Sequence, residues 1–142
     1  MLRYTVYGGI GTLVTTPGTI TLQLNLGSVA AVSSGAVQLN ATAHTNLPFM
    51  AQCVATCRAV GSGTAANLMG QWLLHGIMFT RTAAQVDDIN VGDSLLGPAT
   101  APAVGTGFDS TAAQTLDFFA GFSISNAANT IQIQQVLVEA LN

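Results

Sequence analysis

The chain has very little of the charge that soluble proteins usually carry on their surfaces. Charged residues make up 6% of its 142 residues, against about 25% in an average protein. It has no lysine, and its basic residues are Arg3, Arg58 and Arg81. Three scattered arginines cannot neutralise a phosphate backbone, so we expect no nucleic-acid partner. Because solubility depends on surface charge, we expect other protein molecules to cover much of this surface.

Long apolar runs are also missing. The best candidate, residues 72–79, is eight residues long and contains a histidine, whereas a membrane-spanning helix needs about 20 mostly apolar residues. The N-terminal stretch MLRYTVYGGIG has neither the apolar core nor the small-residue cleavage site of a signal peptide. We therefore expect no membrane association, and synthesis in the cytoplasm.

Side chains suited to catalysis are few. His44 and His75 are the only histidines, and no G-x-S-x-G nucleophile motif is present. We interpret His75 as a packed or interface residue and His44 as a solvated residue at a strand end. The glycines of YGGIGTLVTTPG lack the Lys-Ser or Lys-Thr pair of a phosphate-binding loop, so we assign them to a turn. We expect no enzyme activity, no cofactor and no small-molecule substrate.

Two groups of possible metal ligands depart from the usual patterns. Asp88, Asn90 and Asp93 supply oxygen ligands suited to calcium, but the glycine comes one place early and no glutamate follows at the twelfth position. Cys53 and Cys57 lie four residues apart, which in a strand separates them by about 13 Å, too far for a disulfide. We interpret both cysteines as small buried hydrophobic residues.

The sequence does contain regular alternation of apolar and polar residues. In TITLQLNL, residues 19–26, the even positions are apolar and the odd positions polar, which indicates a half-buried strand. Residues 36–43, 50–60 and 116–122 alternate in the same way. Turn-forming clusters separate these segments, and no convincing amphipathic helix is present. This pattern predicts an all-β antiparallel sandwich or barrel.

The last strand alternates in two phases. Ile131 and Ile133 point one way, and Val136 and Val138 take over after the doubled Gln134-Gln135. One extra residue that shifts the phase is what a β-bulge provides, so we predict a bulge at this glutamine pair.

Residues 69–79 are apolar on both faces when they are treated as one strand. Met69, Leu73, Ile77 and Phe79 share one face, and Trp72, Leu74 and Met78 share the other. Because the outer face of a sandwich normally meets water, we expect the second face to form a subunit contact. Phe119 lies opposite Phe118 in the same manner. The predicted oligomer interface therefore consists of Trp72, Leu74, His75, Met78 and Phe119.

Two stretches resemble virion proteins of tailed bacteriophages. They are PFMAQCVATCRAVGSGTAANLMGQWLL and FDSTAAQTLDFFAGFSISNAANTIQIQQVLVEALN, and the resemblance covers residues 48–82 and 108–142. It implies a jelly-roll domain similar to tumour necrosis factor in topology, a homotrimer, and a place on the capsid surface as a decoration or cement protein bound to the major capsid protein. The alternative is a receptor- or glycan-binding head domain of a tail fibre, for which Phe108 is a candidate exposed aromatic.

The capsid-binding segment is predicted from the lack of charge between residues 4 and 57. An uncharged segment gains little from water, so we expect residues 1–18 to form an extended N-terminal arm on the capsid, followed by one sandwich domain over residues 19–142. The arm would bind by strand addition to an edge of the partner. Its candidate contact residues are Leu2, Arg3, Tyr4, Val6, Tyr7 and Ile10.

Overall fold

The computed structural model describes residues 1–13, 18–80 and 94–141. Over these residues the protein contains ten β-strands and no helix. The strands are β1 Leu2–Thr12, β2 Thr19–Leu26, β3 Val29–Leu39, β4 His44–Ala59, β5 Asn67–His75, β6 Phe79–Thr80, β7 Leu95–Gly97, β8 Ala103–Val104, β9 Leu116–Phe122 and β10 Thr130–Ala140.

The strands form two antiparallel sheets that pack face to face. One sheet has the order β10-β1-β4-β5-β7, with β8 also pairing with β5, and the other has the order β6-β3-β2-β9. The core lies between them. The prediction of an all-β antiparallel sandwich is therefore confirmed, while the jelly-roll topology stays a prediction.

The inward side chains are those that the alternation predicts. In β2, Ile20, Leu22 and Leu24 are fully buried, and the polar residues between them point out. In β4, Ala51, Cys53 and Ala55 are buried, and their small side chains leave room for large residues from neighbouring strands. Trp72 of β5 fills much of that space, and its indole N–H donates to the Val32 carbonyl oxygen of β3 at 3.4 Å.

The predicted N-terminal arm is wrong over Leu2–Thr12, because these residues form the interior strand β1. It pairs with β4 on one side and with β10 on the other. Val6 and Ile10 are fully buried. The lack of charge in this segment therefore reflects burial within one chain rather than contact with a partner.

The glycines of β1 serve close packing of strands. A Cβ atom on Gly8 would collide with the Gln132 carbonyl oxygen of β10, and one on Gly9 would collide with the Asn46 side chain. These glycines lie within a strand, so their assignment to a turn is wrong.

The bulge in the last strand is confirmed. Tyr7 pairs with Gln135 and Gly8 pairs with Ile133, so Gln134 has no partner on β1. The extra residue brings Val136 opposite Val6 while Ile131 lies opposite Ile10. Both phases of the alternation consequently place their apolar residues on the same face of the sheet.

The prediction for residues 69–79 is wrong in two respects. The strand ends at His75, and Phe79 belongs to β6 in the opposite sheet. Trp72, Leu74 and Met78 lie in the core with no exposed surface, so their face is the inner one and they cannot contact another subunit in this fold. Met69 and Leu73, on the outer side of β5, are half-buried.

Candidate protein-binding edge

The strand β10 forms one edge of the larger sheet and is the most exposed long strand of the molecule. It has 11 residues and, over the described part of the chain, pairs only with β1. In an antiparallel pair the backbone groups of alternate residues point toward the neighbouring strand. About half of the N–H and C=O groups of β10 therefore point away from β1, and no other strand of the described chain pairs with them.

Large apolar side chains follow this edge on both faces. Ile133, Val136, Leu137 and Val138 are exposed by 40%, 46%, 45% and 49%, respectively. Three of them are consecutive, so the strand shows apolar groups to both sides. We call these four residues and the free backbone of β10 the β10 edge. Exposed apolar edges of this kind promote pairing with other chains.

The inner face of β10 is open because the smaller sheet does not extend beneath it. Val138 pairs with Tyr4, and Val136 pairs with Val6. Cross-strand partners point to the same face of a sheet, yet Tyr4 and Val6 are buried while both valines are about half exposed. The smaller sheet therefore covers the inner face of β1 but leaves the inner face of β10 largely uncovered.

The β10 edge carries almost no free charge. Its one ionisable side chain, Glu139, accepts a hydrogen bond from the guanidinium of Arg3 on β1 at 3.2 Å. The pair neutralises itself within the chain. Since more than a third of each side chain is exposed, the pair stabilises the fold by at most about 1 kcal/mol, and its main effect is to leave a neutral edge.

On the same side of the molecule, the edge strand of the smaller sheet is β9, and it is better protected against pairing with another chain. Strand β9 has seven residues, and the acidic Asp117 lies within it, so a charge on the strand opposes pairing with another chain. Burial, and then the negative charge of Asp117, raise the pKa of the nearby Tyr4 phenol. Phe119 on the outer face of β9 is 53% exposed and is the one aromatic of the predicted interface that remains accessible.

The six residues predicted for the capsid-binding arm are divided by the structure. Tyr4, Val6 and Ile10 face the core and are buried, and Leu2 packs against the core from a half-buried position. Arg3 pairs with Glu139. Tyr7 is exposed on the outer face, where it lies opposite Gln135 of β10. Arg3 and Tyr7 thus lie beside the β10 edge, but as parts of a sheet rather than of an arm.

A second candidate site is a cavity of about 380 Å³ where β1 ends, β4 begins and β10 begins. Its lining has no acidic residue, lysine or arginine and includes His44, Thr45, Asn46, Thr130 and Gln132. Asn46 has a φ of 52°, in the left-handed region that few residues other than glycine adopt. The predicted solvation of His44 is wrong in part, since the residue is half-buried. Its Nε2 atom is buried and has no hydrogen-bond partner among the residues that the structure describes.

The remaining candidates lie away from both sites. His75 ends β5, and its Nδ1 atom lies 2.9 Å from the Ser94 hydroxyl, an interaction that links β5 to the residue before β7. Phe108, the candidate exposed aromatic, is buried in the core, and its backbone pairs with that of the buried Ala66. Cys53 is buried as predicted, whereas Cys57 is exposed, so the prediction that both cysteines are buried is wrong for Cys57.

The possible calcium ligands Asp88, Asn90 and Asp93 lie outside the described residues. Within the described ranges, no group of three or more histidine, cysteine, aspartate or glutamate side chains is placed to hold a metal ion. In the same part of the chain, no helix has the length and hydrophobicity needed to cross a membrane.

Comparison with known proteins identifies no relative of this chain. No family model matches the chain, and no curated protein or solved structure is detectably similar to it.

Proposed function

We propose that this protein is a structural component of a tailed-phage virion, a decoration or cement subunit that binds the major capsid protein and stabilises the capsid lattice. The virion assignment comes from the resemblance of residues 48–82 and 108–142 to such proteins. The resemblance also implies a homotrimer. On this proposal the protein acts by binding other proteins and carries out no chemical reaction.

The observation that carries the proposal is the open β10 edge. A strand with free backbone groups and apolar side chains on both faces can accept another strand, and main-chain hydrogen bonds then supply the affinity. Because the edge is nearly free of charge, such contacts gain little from ion pairs and are weakly screened by salt. Residues Leu2–Thr12 do not supply the anchor, because they form β1, which is held inside the sheet.

The test is to locate the protein on purified particles by cryo-electron microscopy and to measure its retention in molar salt. We expect density on the capsid surface, with β10 at a protein contact, and retention of the protein at high salt. Release in high salt, or a contact that leaves β10 in solvent, would contradict the binding mode. Density at the tail tip alone would contradict the capsid assignment.

A second candidate function, the receptor- or glycan-binding head domain of a tail fibre, is favoured by the cavity beside His44. Its volume of about 380 Å³ lies within the range of small-molecule sites. Hydroxyl, amide and imidazole groups line it, with no carboxylate, lysine or arginine among them, which suits a neutral, hydroxyl-rich ligand such as a sugar.

The glycan hypothesis is tested by NMR titration of the protein with neutral mono- and disaccharides. Binding at the cavity predicts shift changes at Asn46 and Gln132 that disappear in Gln132→Ala. The matched control is Gln134→Ala, which removes an exposed glutamine of the same strand outside the cavity. Shifts that persist in Gln132→Ala, or no shifts at millimolar sugar, would reject this candidate.

A further inference from the structure

We infer that the β10 edge pairs with the β10 edge of a second copy of this chain, antiparallel and around a twofold axis at Leu137. The inference deepens the proposed function by naming one partner of the edge. It replaces the homotrimer that the resemblance implies with a twofold dimer, and it rests on the proposed function only in using the same surface. A pair of this kind forms in solution whether or not the protein belongs to a virion.

The sequence of β10 is complementary to itself in one register. If Leu137 lies opposite Leu137 of the other copy, Val136 lies opposite Val138 and Val138 opposite Val136. All three positions are about half exposed in the single chain. Cross-strand apolar pairs are the contacts that stabilise a sheet, and this register gives three of them side by side.

The same register places the charges favourably. Glu139 lies opposite Gln135 of the other copy, so the two carboxylates do not face each other. Each carboxylate is also already paired with Arg3 of its own chain. Like charges that lie directly opposite on neighbouring strands destabilise a sheet, and this pairing contains none.

A second copy also fits the shape of the edge. The larger sheet extends past the smaller one at β10, so the inner faces of Val136 and Val138 have no cover in a single chain. Twofold pairing joins the two larger sheets into one continuous sheet and brings each overhang beside the other. The apolar residues on both faces then meet apolar residues, as stable homodimer interfaces require.

The first test is a disulfide at the axis. In a Cys57→Ser background, Leu137→Cys places two thiols on directly opposite residues, whose Cα atoms in an antiparallel pair lie about 4.5–5.5 Å apart, within disulfide range. We expect rapid oxidation to a covalent dimer. Ile133→Cys in the same background is the matched control, because the register separates its two copies by about 26 Å along the strands. Equal cross-linking of both variants would overturn the register.

The second test is the mass in solution, measured by light scattering. The unmodified chain is expected at twice its subunit mass of 14.5 kDa. Leu137→Lys places like charges at the axis and should raise the dissociation constant by about tenfold or more, with unchanged Trp72 fluorescence as evidence of folding. Phe119→Lys makes the same change on exposed β9 and should leave the dimer intact.

The outcomes separate this inference from the proposed function. A monomer, a trimer, or a dimer that dissociates in Phe119→Lys but persists in Leu137→Lys would overturn the β10 pairing and leave the virion assignment standing. A confirmed twofold dimer that is found nowhere on phage particles would overturn the virion assignment and leave the pairing standing.

Discussion

Trp72 of β5 and Phe118 of β9 meet edge to face across the sandwich, with ring centroids 5.9 Å apart. The next residue, Phe119, points to the opposite side of β9 and is mostly exposed. Two adjacent residues of one strand thus have different surroundings. The Phe118 ring packs against the core, and the Phe119 ring lies at the surface.

The first prediction uses this pair. Phe118→Ala removes a partly buried ring that packs against the core and should lower the free energy of unfolding by about 2–4 kcal/mol. Phe119→Ala should change it by at most about 0.5 kcal/mol. Urea denaturation followed by the fluorescence of Trp72, the single tryptophan, measures both values. Equal losses would contradict the placement of these residues.

The second prediction concerns β1. Deleting residues 1–11 removes the strand that joins β10 to β4, so the chain should lose its cooperative unfolding transition. A milder change, Ile10→Ala, should cost about 2–5 kcal/mol because Ile10 is fully buried. Circular dichroism and thermal denaturation check both. If the truncated protein keeps its fold, the sandwich does not need β1, and the hypothesis of an N-terminal arm would be supported.

The third prediction concerns the bulge. Deleting Gln134 removes the residue that has no partner on β1, and every other pair between β1 and β10 can form as before. This variant should fold with a stability within about 1 kcal/mol of the unmodified chain. Deleting Val138 is the matched control, because the one-residue slip then places Glu139 opposite Tyr4 on the inner face and breaks its pairing with Arg3. Its loss of stability should be clearly larger, as measured by thermal unfolding.

The fourth prediction is a loss of stability at alkaline pH. Burial raises the pKa of the Cys53 thiol to about 12, from an ordinary value of 9.0. The unfolded chain therefore releases this proton first, and stability falls as the pH rises from about 9 toward 12. The loss should be on the order of 2 kcal/mol near pH 10.5. The raised pKa of Tyr4 acts in the same direction.

Cys53→Ala tests the source of this effect. It should flatten the decline of unfolding free energy between about pH 9 and 11, whereas Cys57→Ala, at an exposed position, should leave the slope unchanged. The chain has no lysine, so few other groups titrate in this range. Thiol labelling of the folded protein at pH 8 should modify Cys57 and spare Cys53. An unchanged slope in Cys53→Ala would show that another group is responsible.

Local patterns predicted much of the fold. The strict alternation of residues 19–26 matches β2, and the doubled glutamine marked the bulge at Gln134. Both features can be recognised within one strand. The first is an alternation with a period of two, and the second is one extra residue that shifts the phase of that alternation. The partners of β1 could not be predicted in this way, because Arg3 and Glu139 are 136 residues apart and nothing local indicates that they meet.

The candidate interface was predicted less well for a similar reason. A strand that is apolar on both sides does not indicate which side faces the second sheet, so Trp72 and Leu74 were assigned outward although they fill the core. The β10 edge had a local signal, the consecutive apolar residues Val136, Leu137 and Val138. That signal shows apolar groups on both faces, but only the sheet order shows that the strand lies at an edge.

Amide hydrogen exchange along β10, measured residue by residue by NMR, tests the central claim that this edge binds another strand. At high protein concentration, we expect slow exchange at consecutive amides around Leu137, because both sides of the strand are then hydrogen-bonded. Dilution should speed exchange at every second amide and leave those that pair with β1 protected. Alternating protection at all concentrations, with every second amide of β10 exchanging as fast as in an open edge, would contradict the claim.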